Sequence, residues 1–145
     1  PHIAARRAGV EVTLAPILDA YRQLAAQADA VVVEGAGGWR VPLSDSLCIA
    51  DLAVALQLPV VLVVGLKLGC LNHAVLTAEA IRAAGLPLAG WVASRVEPQM
   101  LVPEENMDWL RNQLGRLGAP LLADIPWQAT PDPRLTGFSL PKEWQ

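Results

Sequence analysis

Apolar and polar positions along the chain follow two alternating periods. Leu14, Ile17, Leu18, Tyr21, Leu24 and Ala25 recur at the spacing of one helix face, which predicts a helix from Thr13, a candidate N-cap, to about Ala28. Pro16 falls in its first turn, where a missing N–H costs little. Ala30 to Val33 is a continuous apolar run, β-branched at Val31, Val32 and Val33, and predicts a strand covered on both faces. It ends at Glu34 and the glycine-rich Gly35-Ala36-Gly37-Gly38. The pattern then repeats. A helix is expected over Ile49–Gln57, a buried strand over Pro59–Gly65, and a helix over Asn72–Ala84 closed by Gly85. A strand over Leu88–Ala93 follows, then a helix over Pro103–Leu117 with acidic residues early and arginines late, as its dipole favours. Leu121–Ile125 reads as a last short strand. From Gln128 onward, Pro131, Pro133, Gly137 and Pro141 predict an irregular tail.

Helices alternating with doubly apolar strands predict an α/β fold with a mostly parallel sheet, and residues 1–145 read as a single domain. No internal repeat goes beyond this alternation. Ligands of such sheets sit outside the carboxyl ends of the strands, so the residues that follow each strand carry the functional question.

Composition narrows the classes. Apolar residues make up 53% of the chain even without glycine and charged residues 17%, against about 25% charged in ordinary domains. Disorder is excluded on that balance. A net charge of −3 argues against nucleic-acid binding through bulk charge. The longest apolar run, Leu52 to Leu66, is broken by Gln57 and Pro59 and is short of the roughly 20 residues of a membrane span. Arg6 and Arg7 lead into no secretory core. Cys48 and Cys70 lack a CxxC spacing, and His2 and His73 stand apart, so zinc is not expected and a reduced, cytosolic protein fits.

Each strand end offers chemistry with an ordinary alternative beside it. A carboxylate closing a buried strand, as Glu34 is expected to do, is costly unless paired, and a magnesium ion bridging phosphates would pair it. The glycines behind it would let backbone N–H groups approach a phosphate. The alternative is a turn glutamate bonded to nearby N–H groups. The segment is no GxxxxGK[ST] loop, because no lysine follows the glycines. Gly65-Leu66-Lys67-Leu68-Gly69-Cys70-Leu71-Asn72-His73 is a glycine-flanked turn leading into a helix. Its free N–H groups form an anion site to which Lys67 adds a point charge, or else Lys67 is solvated and Asn72 only caps the helix. Cys70 reads better as packing than as a nucleophile, since no partner with recognisable nucleophile spacing accompanies it. Ser94 and Arg95 follow the third strand. Pro126 and Trp127 follow the fourth and either flank an aromatic base or pack on the sheet edge.

Taken together, the segments VVVEGAGGWRVPLSD (Val31 to Asp45), PVVLVVGLKLGCLNHAVLTAEAI (Pro59 to Ile81), AGWVAS (Ala89 to Ser94) and PLLADIPW (Pro120 to Trp127) resemble dethiobiotin synthetases in order and spacing. PHIAARRAG is similar to that family's middle region. EGAGG is shared with amidotransferase-like relatives, whereas KLGCLNHA is narrower. The resemblance implies a P-loop NTPase-like three-layer α/β/α fold with a mostly parallel sheet. It also implies ATP- and Mg²⁺-dependent closure of the ureido ring of dethiobiotin from 7,8-diaminononanoate and CO2. Glu34 would be a magnesium ligand, and Gly35, Ala36 and Gly37 would lie along the nucleotide. Leu68, Gly69, Cys70, Leu71 and Asn72 would hold the substrate carboxylate, reaching into the neighbouring subunit of a homodimer. Ser94, Arg95, Pro126, Trp127, Gln128 and Asp132 would form the adenine and ribose region, and Lys67 is the one catalytic candidate.

Two departures carry expectations. Ser94-Arg95 stands where many members of the family have Asn-Asp, and Ser cannot both donate to and accept from a base edge as Asn does, so a weaker preference for ATP is expected. The family's amino-terminal phosphate loop, with its catalytic lysine and first strands, has no counterpart in these 145 residues. The chain begins at Pro1, and alone it is expected to be inactive and to expose apolar sheet surface. Two rival readings remain at this point, a non-catalytic binding or scaffold module and the synthetase half of a cobyrinate-type amidotransferase.

Overall fold

The computed structural model describes residues 1–130, 137–141 and 144. They divide into two units, Pro1–Leu58 and Pro59–Gln145.

The first unit holds α1 (His2–Arg7), α2 (Leu14–Ala25) and α3 (Ile49–Leu56). α1 was not foreseen, because six residues are too few to establish a helical period. α2 begins after Thr13 as expected, although the Thr13 side chain makes no capping bond. Its predicted face is half-buried at Leu14, Ile17, Leu18 and Tyr21, whereas Leu24 is exposed. α2 packs on α3, whose Ala50 and Leu52 are buried with Leu43 of the preceding loop. At the start of α3, Asp51 Oδ2 accepts from the Cys48 backbone N–H at 2.7 Å and from its thiol at 3.0 Å. Those bonds hold the Asp51 carboxyl below the ordinary aspartate range.

The strand expected at Ala30–Val33 is not formed. The segment joins no sheet among the described residues, and Val32 is 93% exposed. β-branched residues favour a pleated surface only where a neighbouring strand supplies the ladder and the packing. The order of the loop that follows comes from turn bonds instead. Pro42 and Cys48 form an isolated antiparallel bridge, and the Ile49 N–H donates to the Val41 carbonyl.

The second unit is built as expected of an α/β fold. β1 (Val60–Leu66), β2 (Leu88–Arg95) and β3 (Leu121–Ile125) form a parallel sheet in that order. α4 (Cys70–Ala83) and α5 (Pro103–Arg116) make the crossovers. α4 lies on β1 and β2 and packs against α5. Ala74 and Ala78, one helical turn apart, are buried and let α4 approach closely, while Leu66, Ile81, Trp91, Met107, Leu110 and Leu114 fill the core. Trp91 is fully buried, and its Nε1–H finds no acceptor among the described residues. β2, the central strand, is the most buried. β1 lies at the edge, and Val63 is 63% exposed, so the expected burial of that strand on both faces holds on one face only. β2 runs two residues beyond Ala93 and thereby includes Ser94 and Arg95. α4 starts two residues before Asn72, with Gly69 at its N-cap in the left-handed region, φ +90°, where a side chain is disfavoured. Gly85 closes it as expected, at φ +78°.

Candidate functional site

Glu34 sits at the head of the glycine loop in the first unit, exposed and after an unpaired segment. The desolvation argument for a paired carboxylate therefore does not apply to it. Its neighbours are nonetheless constrained. A Cβ on Gly35 would lie 3.0 Å from Ile49 Cγ2, and one on Gly37, at φ +93°, would lie 2.7 Å from Val41 Cγ2. The loop backbone is thus held close to α3 and to Val41 by glycines no other residue can replace without movement. The described residues contain no cluster of three metal-ligating side chains. Glu34 fits magnesium as a single carboxylate ligand, since that ion keeps several waters and binds through one or two carboxylates plus phosphate oxygens. A hollow of about 200 Å³ elsewhere in this unit, lined in part by Arg6, Glu11 and Asp45, contains none of the predicted site residues.

The turn between β1 and α4 is an open helix start. The Cys70 N–H donates to the Lys67 carbonyl at 3.0 Å and the His73 N–H to that of Gly69 at 3.3 Å. Among the described residues nothing accepts from the N–H groups of Leu71 and Asn72, which are the unsatisfied donors every helix start leaves. Leu68 is 95% exposed beside them, and Lys67 is exposed with no ion-pair partner among the described residues. Cys70 is buried, which suits packing. Asn72 lies inside the first turn of α4 and so is not its cap.

The carboxyl ends of the three strands bring a further group together. Alternation along β2 sends Ser94 and Arg95 to opposite faces of the sheet. Arg95 goes to the face of α5. Its Nε and Nη2 donate to Asp124 Oδ1 and Oδ2 at 2.9 and 2.8 Å, and its Nη1 donates to Glu104 Oε1 at 2.9 Å. Bidentate charge-assisted bonds of this kind are strong and directional. The Arg95 guanidinium beside it holds the Asp124 carboxyl below its usual range, and the two carboxylates push Arg95 upward. Arg95 and Trp127 line one cavity of about 110 Å³ with Leu66, Glu97, Met100 and two prolines. Of the residues expected around a nucleotide base, these are the two that line it. Ser94, Pro126 and the half-buried Gln128 do not, and Asp132 falls outside the described residues.

Asp124 and Glu104 were not foreseen. A signal was present for Asp124: it is the one charged residue in the apolar run Leu121–Ile125. The partner itself, 29 positions earlier in the chain, was not readable.

The parallel α/β sheet of the second unit is that of a P-loop NTPase-type class of protein, and a family model described as "AAA domain" matches residues 1–134. The chain belongs to that family. It is 61% identical over 93% of its length to the ATP-dependent dethiobiotin synthetase BioD of Ralstonia nicotianae, covering 58% of that protein. It is 54% identical over 97% of its length to the protein of the same name from Aromatoleum aromaticum, covering 61% of it. With the Xanthomonas axonopodis pv. citri protein, also so named, the figures are 52%, 98% and 63%. The chain thus spans about three-fifths of the length of these relatives. Their names agree with the resemblance drawn from the EGAGG and KLGCLNHA segments. No helix among the described residues is long and apolar enough to cross a membrane.

Proposed function

We propose that the protein carrying this sequence is an ATP- and Mg²⁺-dependent dethiobiotin synthetase that acts on 7,8-diaminononanoate and CO2. The observation that carries this reading is the identity of 52–61% to relatives of that name across nearly all of the chain. The reading takes residues 1–145 as part of one α/β domain working as a cytoplasmic homodimer.

One amine of the substrate adds to CO2 and loses a proton, giving a carbamate. The carbamate oxygen takes the γ-phosphoryl group and releases ADP. The second amine then attacks the carbonyl carbon, phosphate leaves, and the ureido ring closes. The task of the protein is positioning and charge neutralisation. Glu34 would be one carboxylate ligand of magnesium, which neutralises phosphate charge when bound. Gly35, Ala36 and Gly37 would bring backbone, with no side chain larger than a methyl group, close to the nucleotide. The free N–H groups at the start of α4 suit the substrate carboxylate, with Leu68 against its alkyl chain and the segment Leu68–Asn72 serving the partner protomer's site. Lys67 adds positive charge at that turn. Trp127 would give the nucleobase an aromatic wall, with Pro126, Gln128 and Asp132 assigned to the nucleoside by the family resemblance.

The test is dethiobiotin formation from diaminononanoate, bicarbonate, ATP and Mg²⁺ by the full-length protein carrying this sequence. ATP-dependent product with matching phosphate release is expected. Absence of product would overturn the reading.

A further inference from the structure

The cavity at the strand ends has an unusual electrostatic make-up for a site beside triphosphate chemistry. Among its lining residues Arg95 is the one cation, and each of its three nitrogens is already bonded to a carboxylate. Around that single positive charge stand three negative ones, Asp124 and Glu104 on the guanidinium and Glu97 on the cavity wall. An anion entering here meets net repulsion, and three of the five guanidinium N–H donors are already committed to carboxylates. The remaining wall is flat or soft. Trp127 contributes an indole, Met100 a polarisable thioether, Pro98 and Pro103 rigid rings, and Leu66 an alkyl floor. A guanidinium held in plane by carboxylates still stacks on aromatic rings through its face. About 110 Å³ is less than the roughly 150 Å³ of a closed apolar cavity that holds benzene, so a ring would enter only in part, with its outer edge in solvent.

We propose that Asp124 and Glu104 are positioning residues acting through Arg95. They convert it from a free cation into a fixed, charge-compensated wall, so that the cavity takes an uncharged planar heteroaromatic ring and rejects phosphate and carboxylate groups. Arg95 then offers the ring its face, with most of its N–H donors turned to carboxylates. Where the ring is the base of ATP, this rests on the synthetase reading, whereas selection of a neutral ring over an anion does not. The sequence placed Arg95 among nucleotide contacts, and the ion pairs change what kind of contact it makes.

The experiment is calorimetric titration of the full-length protein carrying this sequence with adenosine, which is uncharged, and separately with inorganic tripolyphosphate. Asp124→Asn is expected to weaken adenosine about tenfold, the equivalent of one lost charge-assisted bond. Tripolyphosphate binding should stay the same or tighten, because a guanidinium edge has been released. Glu104→Gln, at an exposed carboxylate that makes one bond, should weaken adenosine by about threefold. Asp124→Glu should recover most of the adenosine affinity. A merely structural role would weaken both ligands together, and that outcome overturns the proposal. So does unchanged adenosine affinity in Asp124→Asn, or a wild-type protein that does not bind adenosine. Adenosine binding with the expected variant pattern but no dethiobiotin formation would leave this proposal standing and remove the synthetase reading. The reverse pattern would remove this proposal alone.

Discussion

Arg95 and Asp124 are joined edge to edge across two adjacent parallel strands, both carboxylate oxygens accepting from the guanidinium at 2.9 and 2.8 Å. The Arg95 side chain is 25% exposed and that of Asp124 30%, so solvent screens the pair only in part. Asp124→Asn is expected to cost about 1–3 kcal/mol of stability at neutral pH, measured by urea unfolding. The pH dependence has a definite sign. The folded-state pKa of Asp124 is depressed, so its contribution is complete above the unfolded value and is lost as pH falls through the folded one. The gap between wild type and variant should therefore persist from pH 7 to about pH 5 and close only well below about pH 4.

Gly37 and Gly38 are adjacent but not equivalent. Gly37 has φ +93° and a Cβ there would press on Val41, whereas around Gly38 there is open space. Gly37→Ala is expected to destabilise by about 1–3 kcal/mol, through a strained backbone and a clash. Gly38→Ala should stay within about 0.5 kcal/mol of wild type. Thermal melts of the two variants side by side check this, and equal effects would mean that the loop does not have the described conformation.

Gly90 lies where β2 meets the chain entering β3. A Cβ there would stand 2.7 Å from Leu122 Cγ and 2.8 Å from the Pro120 carbonyl oxygen. The Trp91 N–H donates to that same carbonyl at 2.9 Å, so the backbone has little freedom to retreat. Gly90→Ala is expected to cost about 1–3 kcal/mol by overpacking. Reduced hydrogen-exchange protection in β3 is the local readout, and protection equal to wild type would count against it.

Glu34 is exposed, which separates its role from folding. On the synthetase reading, Glu34→Gln should reduce turnover by about 100-fold or more, as loss of a charged group at a phosphoryl site does. Its unfolding midpoint should match the wild type. Full activity in the variant would rule out the magnesium role.

The helix start at Gly69 offers a binding test. Gly69→Ala forces a side chain into the left-handed region at φ +90° and should tilt the Leu71 and Asn72 N–H groups. The KM for diaminononanoate is expected to rise about tenfold, with a smaller change in the KM for ATP. Equal rises in both would show general disruption of the fold.

Much of this molecule is local and was therefore legible along the chain. The spacing from Asn72 to Ile81 and the acidic start of Pro103–Leu117 marked helices that form within two residues of where they were expected. Leu121–Ile125 forms a strand with those same ends. Gly85, Gly69 and the glycine-flanked turn carried their own backbone geometry. The strand read at Ala30–Val33 shows where local pattern stops, because β-branched residues state a preference that only a paired neighbour fulfils. The same limit separates Glu34 from Asp124. Both are carboxylates next to apolar runs, yet one is solvated and the other, which the sequence did not single out, is gripped by Arg95.

By itself, then, the sequence determined the α/β class, the helices after α1, the turn glycines and the family, since each depends on residues a few positions apart or on short contiguous motifs. Only the tertiary structure decided that Arg95 meets Asp124 and Glu104, that it shares a cavity with Trp127, and that Ser94 faces away from it. Those relationships depend on strand register and on which side of the sheet a helix crosses. Both are set by packing between elements far apart in the chain, and no run of neighbouring residues records them.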